Sequence, residues 1–418
     1  MNKTLRILTC VAVMGLSVPA QAQEQEQEQT KPQKPSIESF ISYVWKANPA
    51  VAEAEARVAA AAAGQKAASR WQHNPELAYE VEDVDGEDKT KLLGISQTID
   101  WSGKFLSSGK TAEFELNATT AERDGIRQSV AVDVLASLAN YSAAKEIFGL
   151  AVQRSSLMER FAGLAKKGFN AGDIDQSEYN LAQLALSEAL IIQAETETAL
   201  AENRQSLDSS IGFLPDNLFA LPNLPETLPE IPADSVSEEE ILMQLPAVRA
   251  MRNREDAAKS VITQARKDML PDPTIGIVGG EDGGADMIGF SVSVPLHVFN
   301  TYGAEVDQAK QEALAEAKAG QNAFHAARTR LQASRSAYHL SKKAWTNWQD
   351  NGAQALAEQI DILDRKFKVG ELSATDYLVQ IEQALDTQVA AEELHSKVWQ
   401  SWFAWLAASG TVEQWIQN

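Results

Sequence analysis

Two stretches of this sequence, FNAGDIDQSEY at residues 169–179 and FKVGELSATDY at residues 367–377, are versions of one another. Each sets an acid directly after a glycine and closes on an acid–tyrosine pair. Outward from them the correspondence continues in the same order. Asn48-Pro49-Ala50-Val51 returns as Leu245-Pro246-Ala247-Val248, Asn74-Pro75-Glu76-Leu77 as Asp272-Pro273-Thr274-Ile275, and Tyr141 as Tyr338. The offset stays at about 197 residues, and four ordered matches at nearly one spacing mark a duplication.

Each copy has one layout. A helix of moderate length, residues 49–71 and then 246–269, opens on proline, a favourable first position. Two short strands follow, then a very long helix, a glycine turn and a returning helix. Pro215, Pro222, Pro225, Pro229 and Pro232 rule out a helix between the copies. The chain divides into a signal peptide at 1–22, a low-complexity linker at 23–35, a first repeat at 36–212, a proline-rich connection at 213–245, a second repeat at 246–410 and a tail at 411–418.

The long helices carry seven-residue periodicity. Phe324, Leu331, Tyr338 and Trp345 fall in strict steps, as do Val134, Tyr141 and Phe148. A second stripe on the first long helix runs through Ile147, Leu150, Leu157, Phe161 and Leu164, so that helix has two neighbours. The last returning helix has a seam of Leu378, Ile381, Leu385, His395, Trp399, Trp402 and Leu406. From residue 103 to 167 the helix reaches roughly 100 Å at 1.5 Å per residue, too long for a globular core.

The strand pairs alternate with period two. Leu77, Tyr79 and Val81, then Leu93, Ile95 and Ile99, alternate with other residues around an acidic turn at 83–88. Ile275 and Ile277, then Ile288, Phe290, Val292 and Val294, do so in the second copy. One apolar face fits a lipid-facing barrel strand. A soluble hairpin packed on helices has the same pattern, but two such hairpins between long helices in an exported chain favour the barrel. Four strands cannot close one, and open edges in lipid leave backbone groups unpaired, so an oligomer must complete it.

The compartment is read from the start of the chain. Lys3 and Arg6, a short apolar run and Ala20-Gln21-Ala22 make a secretory signal with cleavage before Gln23. The run is too short for a spanning helix. Cys10, the only cysteine, lies inside that signal and too early for a lipoprotein site, so no disulfide, cysteine metal site or lipid anchor is expected. A net charge of −21 argues against nucleic acid as a partner.

Other signals carry less. Gly109-Lys110-Thr111 after Gly103 resembles a phosphate loop, but five residues separate the glycines where four are needed. A turn and helix start fits better. His73, His297, His325, His339 and His395 show no metal-site spacing, and His395 on a helix seam reads as packed. Trp399, Trp402, Trp405 and Trp415 fit helix packing better than a membrane belt. No nucleophile and base constellation indicates an enzyme, and no cofactor is expected.

The duplicated helix, strand pair and long helical hairpin resembles the TolC family of outer membrane factors over nearly all of the mature chain. The two glycine segments, Asn48-Pro49, Asn74-Pro75-Glu76-Leu77 and the stretch GISQTIDWSGK at 94–104 carry that resemblance. Asn74 to Leu77, residues 80–83 and 97–104 look most like the heavy-metal efflux branch represented by CzcC. The resemblance implies a mainly helical fold with a small β-barrel contribution. Duplicated hairpins would form an α-barrel tunnel, and four strands per chain would complete a 12-strand transmembrane barrel as a homotrimer. It implies a passive duct in the outer membrane of a Gram-negative bacterium, with a large periplasmic part. A periplasmic adaptor and an inner-membrane RND-type pump would be its partners, and metal cations or small toxic compounds its cargo. Gly172, Asp173, Gly370, Glu371 and Leu372 would form adaptor-docking tips. Asp376 matches the family's aspartate at the periplasmic entrance, while the second aspartate position, three residues on, holds Val379. Asp175 and Glu178 are also acidic there, and helix N-termini favour acids, which accounts for Asp173 and Glu371. Arg365, Lys366 and Lys368 are candidate partners for Asp376.

Two other classes share part of this pattern. A periplasmic adaptor has one hairpin between halves of a lipoyl-like β-domain, not two repeats. A structural coiled coil has no membrane barrel.

Overall fold

The structure is a computed structural model describing residues 35–83, 89–212, 221–232, 237–282 and 284–417. The signal peptide with Cys10, the start at Gln23, the linker up to residue 34, most of the acidic turn and Pro215 lie outside these residues.

The first repeat runs α1 (Ile37–Ala47), α2 (Pro49–Ala68), β1 (Glu76–Glu82), β2 (Thr90–Thr98), α3 (Lys104–Ala171) and α4 (Gln176–Ile211). The second runs α5 (Glu238–Gln244), α6 (Pro246–Asp268), β3 (Thr274–Asp282), β4 (Ala285–Ser293), α7 (Gly303–Asn347), a π-helical turn (Trp348–Gly352), α8 (Ala353–Lys368) and α9 (Ala374–Ser409). The last element, α10 (Val412–Gln417), buries Val412 and Ile416, so the tail is a docked helix. Helix α3, at 68 residues, is about 100 Å long.

The four strands form one antiparallel sheet in chain order. The repeats join through β2 and β3, with Ile95 opposite Ile277 and Thr98 opposite Thr274. Strands β1 and β4 are its two edges. Each strand continues into one helix, so α2, α3, α6 and α7 hang side by side beneath the sheet and pack in that order. Below the level where α2 begins, α4 and α9 return alongside α3 and α7–α8.

Two apolar clusters hold the bundle. The larger gathers Val134, Leu138, Leu331, Tyr338 and Trp399 with α1, α5 and α10 at mid-height. The smaller joins Met158, Phe161, Leu363, Tyr377 and Ile381 near the tips. Most of the heptad positions are thus buried, and Trp399, Trp402, Trp405 and Trp415 pack together rather than facing outward as a belt. Leu164 is a correction, since at 57% exposed it lies beyond the packed stripe, on a face that no helix of this chain covers.

Caps set the helix ends. Asn48 accepts the Ala50 N–H at 2.9 Å and donates to the Ser210 carbonyl at 3.0 Å, tying the start of α2 to the end of α4. There Gly212, at φ 98°, passes so close that a Cβ would sit 3.0 Å from the Asn48 Cα. Leu245 and Gly410 hold the matching places in the second repeat, a Cβ on Gly410 falling 3.1 Å from the Leu245 side chain.

The π-helical turn has a sequence cause. Tyr141 and Phe148 return as Tyr338 and Trp345 at an offset of 197, but Phe169 and Gly172 return as Phe367 and Gly370 at 198. One residue is therefore added between Trp345 and Phe367, and a helix absorbs one extra residue as a π turn.

Candidate duct and its two ends

The sheet has two unlike faces. Leu77, Ile95, Ile277 and Phe290 stand in one cross-strand row, with Tyr79, Leu93 and Ile288 in the next. All are exposed, Ile288 by 85%. The opposite face carries mostly small residues, Ala78, Gly94, Ser96, Gly276, Gly289 and Ser291, with Glu76 and Glu80, interrupted by Leu92, Val278 and Met287. Ile99 lies one residue past β2, yet its N–H still bonds the Pro273 carbonyl at 2.9 Å. Among the described residues no helix is long and apolar enough to cross a membrane.

The corner between sheet and helices is where the stretch at 94–104 acts. Trp101 Nε1 donates to the Pro271 carbonyl at 2.7 Å, and Lys104 Nζ reaches Asp272 at 2.8 Å. Lys267 Nζ donates to the Gly103 carbonyl at 2.8 Å in return. Burial opposes ionisation of Asp100, but backbone N–H bonds from Phe105, Lys104 and Gly103 outweigh it and lower its pKa. Asp100 thereby caps α3, whose N-cap Gly103 is left-handed at φ 71°. The glycine–lysine sequence is a helix start, as expected. Burial raises the pKa of Asp268 beside this corner.

At the other end both tips have one backbone solution. Gly172 (φ 82°) and Gly370 (φ 75°) follow the long helices. Asp173 N–H bonds the Gly168 carbonyl, and Glu371 N–H bonds that of Lys366, both at 2.9 Å. Gly172 and Gly370 bond Phe169 and Phe367 at 3.1 Å, completing a Schellman motif at each tip. Asp173, Gly370 and Glu371 are exposed and Leu372 half-buried.

The caps correct the reading of the tip acids. Asp173 and Glu371 lie in the turns; Asp175 and Ser373 are the N-caps. Asp175 accepts the Glu178 N–H at 2.8 Å, and Glu178 accepts the Asp175 N–H at 3.3 Å. In the second tip Ser373 accepts the Asp376 N–H at 3.1 Å and donates to its carboxylate at 2.7 Å. Asp376 therefore sits where Glu178 sits in the first tip, at the third helical position, exposed, but it accepts the Ser373 hydroxyl where Glu178 accepts a backbone N–H. Within the chain Arg365 pairs with Asp361 at 2.9 Å and Lys368 with Asp364 at 4.0 Å, each on its own helix, not with Asp376.

The tips differ in what lies behind them. Phe169 and Tyr179 stack on each other at the surface, 5.1 Å apart. Phe367 and Tyr377 stack at 4.4 Å and both press on Phe161 of α3, leaving Tyr377 2% exposed. Its hydroxyl donates to Asp364 at 2.7 Å, and burial with that carboxylate raises its pKa. Higher up, buried Arg154 of α3 bonds Asp386 of α9 at 2.8 Å, with Glu382 at 3.8 Å. Burial raises the pKa of Glu382 against the pull of Arg154. Sequence reasoning missed Arg154; its signal is a lone cation between Leu150 and Leu157 of an apolar stripe. His395 is packed, stacked on Trp345 at 4.4 Å, and its Nε2 accepts the Trp399 N–H at 3.2 Å. Among the described residues no group of three or more His, Cys, Asp or Glu side chains is placed to hold a metal ion.

The family model described as outer membrane efflux protein matches residues 41–213, the first repeat. No curated protein matches the chain by sequence. Solved structures do. The CmeC outer membrane channel of Campylobacter jejuni aligns with a TM-score of 0.78 at 17% identity, over 95% of this chain and 94% of that one. The MtrE outer membrane channel of Neisseria gonorrhoeae, in an open state, gives 0.70 at 19%, over 90% and 89%. CusC gives 0.75 at 15%, over 90% and 92%. At such identities the likeness establishes a shared fold.

Proposed function

We propose that this chain is the channel subunit of an outer-membrane efflux system, a passive exit duct. The observation that carries this reading is the two-faced sheet on long helices. A lipid-facing strand must be apolar outside, and a bore must be small or polar inside. Its two free edges would leave backbone donors and acceptors unpaired in lipid at several kcal/mol each. Pairing β4 of one copy with β1 of the next removes both edges, and three copies would make a 12-strand barrel above a helical tunnel.

In that assembly the tips point into the periplasm. Gly172, Asp173, Gly370, Glu371 and Leu372 would meet a periplasmic adaptor, which in turn engages an inner-membrane RND-type pump. Three copies of Asp376 would ring the entrance, and a carboxylate ring favours cations. The likeness of residues 74–77, 80–83 and 97–104 to the heavy-metal branch supports metal cations as cargo, with small toxic compounds as the second choice.

A deletion strain challenged with metal salts and with drugs tests the cargo; unchanged resistance to both would remove the efflux role. Fractionation tests the barrel. A structural coiled coil washes off the outer membrane with carbonate, whereas a barrel stays. Cross-linking in detergent should give a trimer, and a dominant monomer or dimer would reject that stoichiometry.

A further inference from the structure

Beside the corner, between α3 and α6, lies a groove of about 460 Å³ lined by Leu106, Lys110, Phe114, Lys259, Thr263 and Lys267. We propose that it holds the phosphate headgroup of an anionic phospholipid from the inner leaflet of the surrounding membrane. This rests on the outer-membrane reading above.

The groove opens on the same side as the apolar face of the sheet. The hollow on the other side is lined by Thr98, Thr274 and Ser293, which alternate with the apolar row, and by Ala265 and Asp268 of α6. On a helix, positions 259, 263 and 267 lie one above another, while 265 falls on the opposite face. The lysines therefore face outward, away from the bore. Height agrees as well. From residue 106 to 114 the groove spans about 12 Å of helix directly below the strands. The headgroup layer extends about 5–8 Å beyond the hydrocarbon on each side. Leu106, 63% exposed, gives the groove an apolar upper lip.

The charge is unusual for this chain. Helix α6 has six bases against three acids in a protein of net charge −21, whereas its counterpart α2 has two of each. Lys259 is occupied by Glu255 at 2.8 Å and by Asp256, which also enters the groove, at 3.3 Å. Lys267 bonds the neutral Gly103 carbonyl, and the Lys110 ammonium lies 5.8 Å over the Phe114 ring. Among the described residues neither has a carboxylate partner, so two positive charges face one groove. The Ser260 and Thr263 hydroxyls add donors. A phosphodiester supplies one negative charge and acceptor oxygens, and its acyl chains continue up along the apolar sheet.

The test uses the full-length protein, delipidated and titrated with phosphatidylglycerol or phosphatidylcholine, with bound lipid counted by native mass spectrometry. Wild type should prefer phosphatidylglycerol. Lys110→Gln and Lys267→Gln should each cut that preference by about fivefold, as expected for one lysine at a charged membrane surface. Lys259→Gln should cut it less. An unchanged preference in the Lys110→Gln, Lys267→Gln double variant overturns the proposal, as does displacement of the lipid by equimolar inorganic phosphate. Insertion into phosphatidylcholine vesicles separates the two readings. Protein that inserts without headgroup preference refutes this site alone, while protein that inserts into no vesicle refutes the outer-membrane reading as well.

Discussion

The two long hairpins are copies in sequence and differ in what supports them. Hairpin one is an unbroken 68-residue helix and its return, with an aromatic pair at the surface of its tip. Hairpin two is broken by a π turn, and its aromatic pair is buried against hairpin one. The tip backbones are nonetheless alike. Local chemistry thus repeats faithfully, while tertiary neighbours decide which hairpin is free and which is held. A free tip can engage a partner without cost to the bundle, whereas a held tip must give up packing to move.

The strongest way to break this comparison is to delete one residue from each hairpin. Helix α3 has no spare residue, so deleting Gln153 turns everything beyond by about 100° about the helix axis. Met158 and Phe161 would then leave their cluster, at a cost on the order of 5 kcal/mol or more. Deleting Asn351 instead restores the 197 offset and lets the π turn close to α-helix, so the limb beyond keeps its phase. Hydrogen exchange at 155–180 should rise sharply in the first variant, while 355–380 stays close to wild type in the second. Lost protection at 355–380 in the Asn351 deletion would show that the turn does not absorb the added residue.

Next in size is Phe161→Ala, which should destabilise by about 3–5 kcal/mol and expose Tyr377. The matched change Phe169→Ala, at the free tip, should cost well under half as much. Equal losses in urea unfolding would erase the distinction between the tips.

The tip glycines sharpen the likeness. A Cβ added at Gly172 or at Gly370 would meet no atom within 4 Å, so only backbone strain opposes a side chain. Gly172→Val and Gly370→Val should each cost about 1–2 kcal/mol for a left-handed residue. Gly370→Val should abolish pump function with oligomer and membrane insertion intact; normal resistance would reject adaptor docking there.

A smaller effect separates the returning helices. Burial lowers the pKa of His395 below its ordinary 6.5. Below 6.5 the unfolded chain takes up a proton that the folded chain refuses. The stabilisation is therefore complete above 6.5 and is lost as pH falls toward the depressed value. His395→Gln should flatten thermal stability against pH in that window, and an unaltered slope would assign it to other groups. Helix α4 has no histidine to show the same slope.

The smallest effect on stability is expected at the paired third helical positions. Asp376→Asn and Glu178→Gln should each cost less than about 1 kcal/mol, since both keep a hydrogen-bonding side chain near the cap. They should part in conductance. Asp376→Asn should reduce cation preference and divalent-cation block in planar bilayers, and Asp376→Arg should reverse the preference, while Glu178→Gln leaves both alone. Wild-type selectivity in both Asp376 variants would leave that residue as a solvated helix-start acid only.

The sequence by itself determined the duplication, the four strands with their apolar side, the long helices and the glycine turns. Each is set by local side-chain order: period two in a strand, period seven in a helix, a residue free to take positive φ at a turn. Even the π turn was present as a shift from 197 to 198 between Trp345 and Phe367. The tertiary structure alone decided that β2 pairs with β3, that Arg154 reaches Asp386, that Phe161 holds only the second tip, and that Asp376 and Glu178 hold the same third helical position. Arg154 and Asp386 are 232 residues apart. No local periodicity records such a contact, because it depends on how two finished hairpins dock. That docking is fixed by the shape and charge of both surfaces together, and either segment read alone carries only half of it.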